Sequence, residues 1–139
     1  MTTDRIAVDI KVPNQTRYLC LIGHIGENIA HTLRHYSGDR EKLAYDLNLV
    51  LTEAMANAIQ HANEKDPSKE VHIEISIVDK HLIIRVFDFG QGFDVHEYIK
   101  PRHPLDEHGR GIYLIHTIMD KISYKPTEQG HVLELIKNL

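Results

Sequence analysis

Three short stretches of the 139-residue chain carry residue types at spacings suited to chemistry. In "LTEAMANAIQHAN" (51–63), Glu53, Asn57 and His61 recur every four positions. On an α-helix this spacing sets a carboxylate, an amide and an imidazole in one row beside the apolar face. A solvated helix face would account for any one of them. Asparagine is a weak helix former, however, and Asn57 stands mid-helix between alanines, so propensity does not explain it.

The second stretch, "FDFGQGFD" (87–94), ends an apolar run. Leu82, Ile84, Val86 and Asp88 share strand parity, which puts Asp88 on the apolar face. A buried carboxylate needs a donor, and the amino group of an adenine would satisfy it. Gly90 and Gly92, followed by Phe93, would let the main chain pass close to a planar base. Taken alone, the motif describes a glycine-rich hairpin equally well. In the third stretch, "EHGRGIYLIHTIMD" (107–120), Gly109, Arg110 and Gly111 open an apolar helix. Helix N-terminal amides beside a guanidinium make an anion site; a plain helix start is the alternative.

The elements that must position these residues follow from periodicity. Residues 5–12 alternate as a strand stopped by Pro13, and Asn14 is placed to cap the helix that follows. That helix carries Leu19, Ile22, Ile29 and Leu33 on one stripe and is expected to end near Ser37-Gly38. Asp39 can cap a second helix, whose buried face would be Leu43, Leu47, Val50, Leu51, Ala54 and Ala58. Strands are expected over 71–77 and 82–88, joined by a turn at Asp79-Lys80. An irregular stretch from 89 to about 108 precedes a helix over 109–119, with two last strands near 121–125 and 131–137 around Gly130. The order β-α-α-β-β-loop-α-β-β implies an α+β two-layer sandwich, a mixed, mostly antiparallel sheet with helices on one face. The long irregular stretch suits a lid or binding loop.

A chain of this length fits one domain spanning 1–139. Its net charge of −4, with scattered basic residues, argues against nucleic acid or an anionic membrane as partner. No apolar run approaches the roughly 20 residues that span a bilayer, and the charged N-terminus lacks a signal-peptide core, so a cytoplasmic setting is expected. The single cysteine, Cys20, lies among apolar residues and reads as a buried structural thiol. His31 and His35 would share a helix face at metal-ligand spacing, but no third ligand is near in sequence. The other histidines read as solvated.

"EAMANAIQHA", "DFGQGF" and "HGRGIYLIHTIMD", in this order and spacing, resemble the N, G1 and G2 boxes of the GHKL ATPase/kinase superfamily. The resemblance covers nearly the whole chain, and a chain this short looks most like the bacterial anti-sigma factor serine/threonine kinases. It implies a Bergerat, histidine-kinase-like ATPase fold using ATP and Mg²⁺. By the same resemblance Asn57 holds Mg²⁺, Glu53 is the general base, Asp88 accepts from the adenine amino group, and Gly92 lies beside the base. Gly109, Arg110 and Gly111 would wrap the phosphates, and residues 94–108 would form the ATP lid. The implied partners are a sigma factor and an anti-sigma-factor antagonist carrying the acceptor serine, with the kinase a homodimer. A nucleotide-binding module without phosphotransfer is the alternative; the ATP-binding part of a histidine kinase and a gyrase-type ATPase rank below it. Two positions depart from the family pattern. Gly130-His131 stands where a Gly-Thr pair is common, its threonine near the adenine, and Tyr113 stands where another glycine is common.

Overall fold

The computed structural model describes residues 5–62, 66–90 and 110–139, apart from the side chains of residues 61, 62 and 110. Five strands and three α-helices follow in the order β1 (Arg5–Pro13), α1 (Leu19–Thr32), α2 (Arg40–Asn57), β2 (Glu70–Val78), β3 (His81–Asp88), α3 (Arg110–Ile118), β4 (Lys121–Pro126) and β5 (His131–Asn138). The strands form one sheet in the order β1-β2-β3-β5-β4. All four described pairings are antiparallel, so the sheet is not mixed as the sequence suggested. Each connection joins neighbours in the sheet except that from β3 to β4, which carries α3 and leaves room for β5 between them.

Strand alternation sorts the sheet into two faces. Val71, Ile73, Ile75 and Ile77 of β2, Leu82, Ile84 and Val86 of β3, and Leu133 and Leu135 of β5 are all buried. The opposite parity, including His72, Glu74, Arg85 and Glu134, is half-buried or exposed. Helix α2 touches both α1 and α3. Its buried residues Leu43, Leu47, Val50, Leu51 and Ala54, with Ala58 just beyond, match the expected apolar stripe. Asp39 caps α2 by accepting from the Lys42 N–H at 3.1 Å.

Helix α1 departs from expectation at both ends. Asn14 does not cap it. The Asn14 side chain instead donates to the Asp66 carbonyl at 3.0 Å, tying the end of β1 to the approach to β2. A 3₁₀ turn, Thr16–Tyr18, leads into the helix. At the other end Leu33 is already extended (ψ 131°), so α1 stops several residues before Gly38. One guanidinium nitrogen of Arg40, at the start of α2, donates to the Ala30 and Leu33 carbonyls at 2.7 and 2.6 Å, satisfying carbonyls that the last turn leaves without an intrahelical partner.

This early end separates His31 from His35, which is not on the helix; His31 lies 3.8 Å from Glu41 instead. Cys20 is exposed, not buried, with its sulfur 3.9 Å from His24. It stands about 200° around the helix from the buried Ile22, a rotation that its apolar neighbours in sequence conceal.

Candidate functional site

Glu53 and Asn57 sit one turn apart near the end of α2, as their spacing requires. Asn57 is not mid-helix: the α-helical register ends there, and Ala58–Ala62 continue as a π-turn. The Asn57 amide Nδ2 donates to the Glu53 carbonyl at 2.9 Å. This side chain competes for a helix carbonyl at the point where the winding changes, and π-turns recur at functional sites. The bond also fixes the amide orientation. With Nδ2 committed to a carbonyl, Oδ1 is the lone-pair atom that Asn57 has to offer. His61 lies within the π-turn, so the row of three assumed for a continuous α-helix extends only to Asn57; the His61 side chain lies outside the described residues.

Helix α3 begins against these two residues. A Cβ placed on Gly111 would collide with the Glu53 carboxylate and come within 3.3 Å of the Asn57 amide. The third stretch therefore meets the first through a glycine that leaves space for the carboxylate. Buried Ile112 and Ile115 hold α3 in the core. Gly92, Phe93, Gly109, the Arg110 side chain and the expected lid at 94–108 lie outside the described residues.

Asp88 ends β3 on the buried face, 3% exposed. Its Oδ1 accepts from the Gly90 N–H at 3.1 Å, an Asx-type turn that carries the chain off the strand. Its Oδ2 accepts from the Tyr124 hydroxyl at 2.8 Å. His131 lies directly opposite Asp88 in the β3–β5 register, with Nδ1 3.8 Å from the carboxylate. The Tyr124 and His131 rings stack, 4.9 Å apart and 7° from parallel. Gly130 lets β5 begin this close, because a Cβ there would strike the Asp88 carbonyl.

Asn57 and Asp88 line one small cleft, walled by Ala54, Ala58, Val86, Tyr124 and Leu133. The cleft is about 10 Å³, room for roughly one water, and its apolar wall carries two polar groups, the Asp88 carboxylate and the Asn57 amide. The donor set fits magnesium. Asn57 Oδ1 is a hard oxygen ligand, and an ion that keeps several waters and binds phosphate needs few others. Among the described residues, no three His, Cys, Asp or Glu side chains converge to hold a metal.

Tyr124 was not singled out in the sequence. The signal was faint: β4 and β5 must pair around Gly130, which sets Tyr124 opposite Leu133 and diagonal to His131. His131 stood out only as a departure from a family pattern, and it is not the solvated histidine expected, since its Nδ1 is buried.

Residues 21–137 match the family model described as "Histidine kinase-like ATPase domain". The chain is 32% identical over 124 residues to the serine-protein kinase RsbW of Bacillus licheniformis, covering 83% of this chain and 75% of that one. It is 31% identical to the protein of the same name from Bacillus subtilis, with the same coverage. Among solved structures, the histidine kinase domain of the Erythrobacter litoralis EL346 blue-light activated histidine kinase superposes with a TM-score of 0.57 at 18% identity. That alignment covers 92% of this chain but 62% of the other, and it speaks to the fold alone.

Proposed function

Because the chain belongs to the histidine kinase-like ATPase domain family and is close to the RsbW serine-protein kinases, we propose that it is an ATP-dependent serine protein kinase and anti-sigma regulatory factor. The observation that carries this reading is the single cleft shared by Asn57 and Asp88, with Glu53 and Gly111 packed beside the amide. Asp88 accepts from the adenine amino group, and the cleft widens to admit the base. The Gly111 end of α3 faces the phosphates, where backbone N–H groups at a helix start favour negative charge. A magnesium ion, when bound, is held through Asn57 Oδ1 and screens the phosphate charge.

Glu53 takes the proton from the acceptor serine hydroxyl as its oxygen bonds to the γ-phosphorus. The bond from that phosphorus to the β–γ bridging oxygen breaks, leaving phosphoserine and ADP. The acceptor serine belongs to an anti-sigma-factor antagonist; phosphorylation releases the antagonist and leaves the kinase, as a homodimer, free to hold a sigma factor. Among the described residues no helix is long and apolar enough to cross a membrane, and we place the protein in the cytoplasm.

The test is label transfer from γ-labelled ATP to the antagonist, with Glu53→Gln in parallel. Transfer by the wild type and a loss of about 10²- to 10⁴-fold in the variant are expected. Undiminished transfer in Glu53→Gln would remove the base role. Nucleotide binding without any transfer would favour a module that binds partners without phosphorylating them.

A further inference from the structure

The phosphotransfer reading leaves unexplained what holds Asp88 in place. Its carboxylate is buried, and both oxygens are occupied, Oδ1 by the Gly90 N–H and Oδ2 by the Tyr124 hydroxyl. Two donors on opposite oxygens fix the rotation of the group about its Cβ–Cγ bond. They leave lone pairs to spare, because each carboxylate oxygen accepts about two hydrogen bonds. An incoming amino group can therefore share the carboxylate with Tyr124 without displacing it.

Tyr124 is itself held. It lies on β4, and β5 separates that strand from β3. It reaches across to Asp88 on the diagonal from Leu133, its direct partner. His131, the residue opposite Asp88, stacks flat on the tyrosine ring and limits where the hydroxyl can point. Tyr124 also lines the cleft with Asp88 and Asn57.

We propose that Tyr124, braced by His131, is a positioning residue that sets base choice, holding Asp88 as a fixed acceptor so that the cleft takes a 6-amino purine and rejects a 6-oxo purine. This rests on the reading of Asp88 as the acceptor for the nucleotide base. A 6-amino group donates to the carboxylate; a 6-oxo group sets one acceptor against another, and a buried acceptor left without a donor is costly. A carboxylate free to rotate could turn away from the oxo group, so discrimination depends on holding it still. A site built around one hydrogen bond discriminates only as well as that bond is oriented.

The experiment compares ATP with inosine triphosphate, its 6-oxo counterpart, by calorimetry with magnesium on the full chain. Wild type, Tyr124→Phe, His131→Ala and Asp88→Asn are measured, with melting curves for each. Wild type is expected to prefer ATP. Tyr124→Phe keeps the ring and loses only the hydroxyl; its ATP affinity should fall about tenfold while inosine triphosphate binding changes by less than about twofold, so the preference collapses. His131→Ala, with Tyr124 and Asp88 intact, should lower the preference in the same direction. Equal weakening of both nucleotides by Tyr124→Phe, an unchanged preference in that variant, or a wild type without preference would each overturn the proposal. Asp88→Asn separates the two levels. Wild-type ATP binding in that variant would sink the reading of Asp88 itself, whereas lost binding there with an intact preference in Tyr124→Phe would sink the role of Tyr124 alone.

Discussion

At position 111 the difference between a hydrogen and a methyl group decides whether Glu53 and Asn57 keep their places. A methyl would meet the Glu53 carboxylate directly, and the side chain that must yield is the one proposed to take the serine proton. Gly111→Ala is therefore expected to lower phosphotransfer by about a hundredfold, the scale on which a displacement of roughly 1 Å is felt. The better helix propensity of alanine, worth up to about 1 kcal/mol, opposes the steric cost, so the chain should remain folded. Label transfer and a melting curve on the same sample check both halves; an active Gly111→Ala enzyme would show that Glu53 has room to spare.

Among the elements, α1 and α2 meet at a close seam. The Cβ that Gly26 lacks would lie 2.7 Å from Leu51 Cδ1 and 3.0 Å from the Leu47 backbone, and Gly23 sits as close to Asn48. Asn48 in turn donates to Glu27 at 2.6 Å, locking the helices in register. Gly26→Ala should cost about 1–3 kcal/mol, read as a lower denaturant midpoint, because backbone cannot move aside as a side chain can. Since α2 carries Glu53 and Asn57, the same variant should also weaken nucleotide binding. The approach to β2 behaves differently. The Asp66 carboxyl is held below its ordinary 3.8 by the hydroxyl and then the backbone N–H of Ser68, which donate to it. A lowered carboxyl favours the folded state above its ordinary value, and that contribution is lost as pH falls through the lowered one. An NMR titration should place the Asp66 midpoint below 3.8, and Ser68→Ala should bring it back up.

For the molecule as a whole, a ligand in the cleft would touch α2, β3, β4 and β5 together, elements far apart in sequence. Binding should then stabilise the entire fold. At a hundredfold excess over the dissociation constant, ATP with magnesium should add about 2.7 kcal/mol and raise the melting temperature by roughly 5–10 °C. Asp88→Asn should lose most of that shift. The uncovered face of the sheet contributes less. Arg85 bridges to Glu134 at 2.7 Å and approaches Glu74 at 3.8 Å, but exposed pairs of this kind are worth about 1 kcal/mol or less.

Local chemistry sufficed to determine the elements. Alternation marked β2 and β3, a helical stripe marked α2, Asp39 marked its start, and strand parity alone put Asp88 on the buried face. Three motifs in order pointed to the family. The tertiary structure decided whatever depended on a distant partner. Arg40, from the start of α2, closes the early end of α1, and the π-turn after Asn57 breaks the row that would have included His61. The placement of Tyr124 and His131 against Asp88 belongs to the same class. Periodicity is a property of neighbours along the chain. Which strand pairs with which, and at what register, depends on the packing of the whole sheet, and only that packing brings a tyrosine on the edge strand to a carboxylate two strands away.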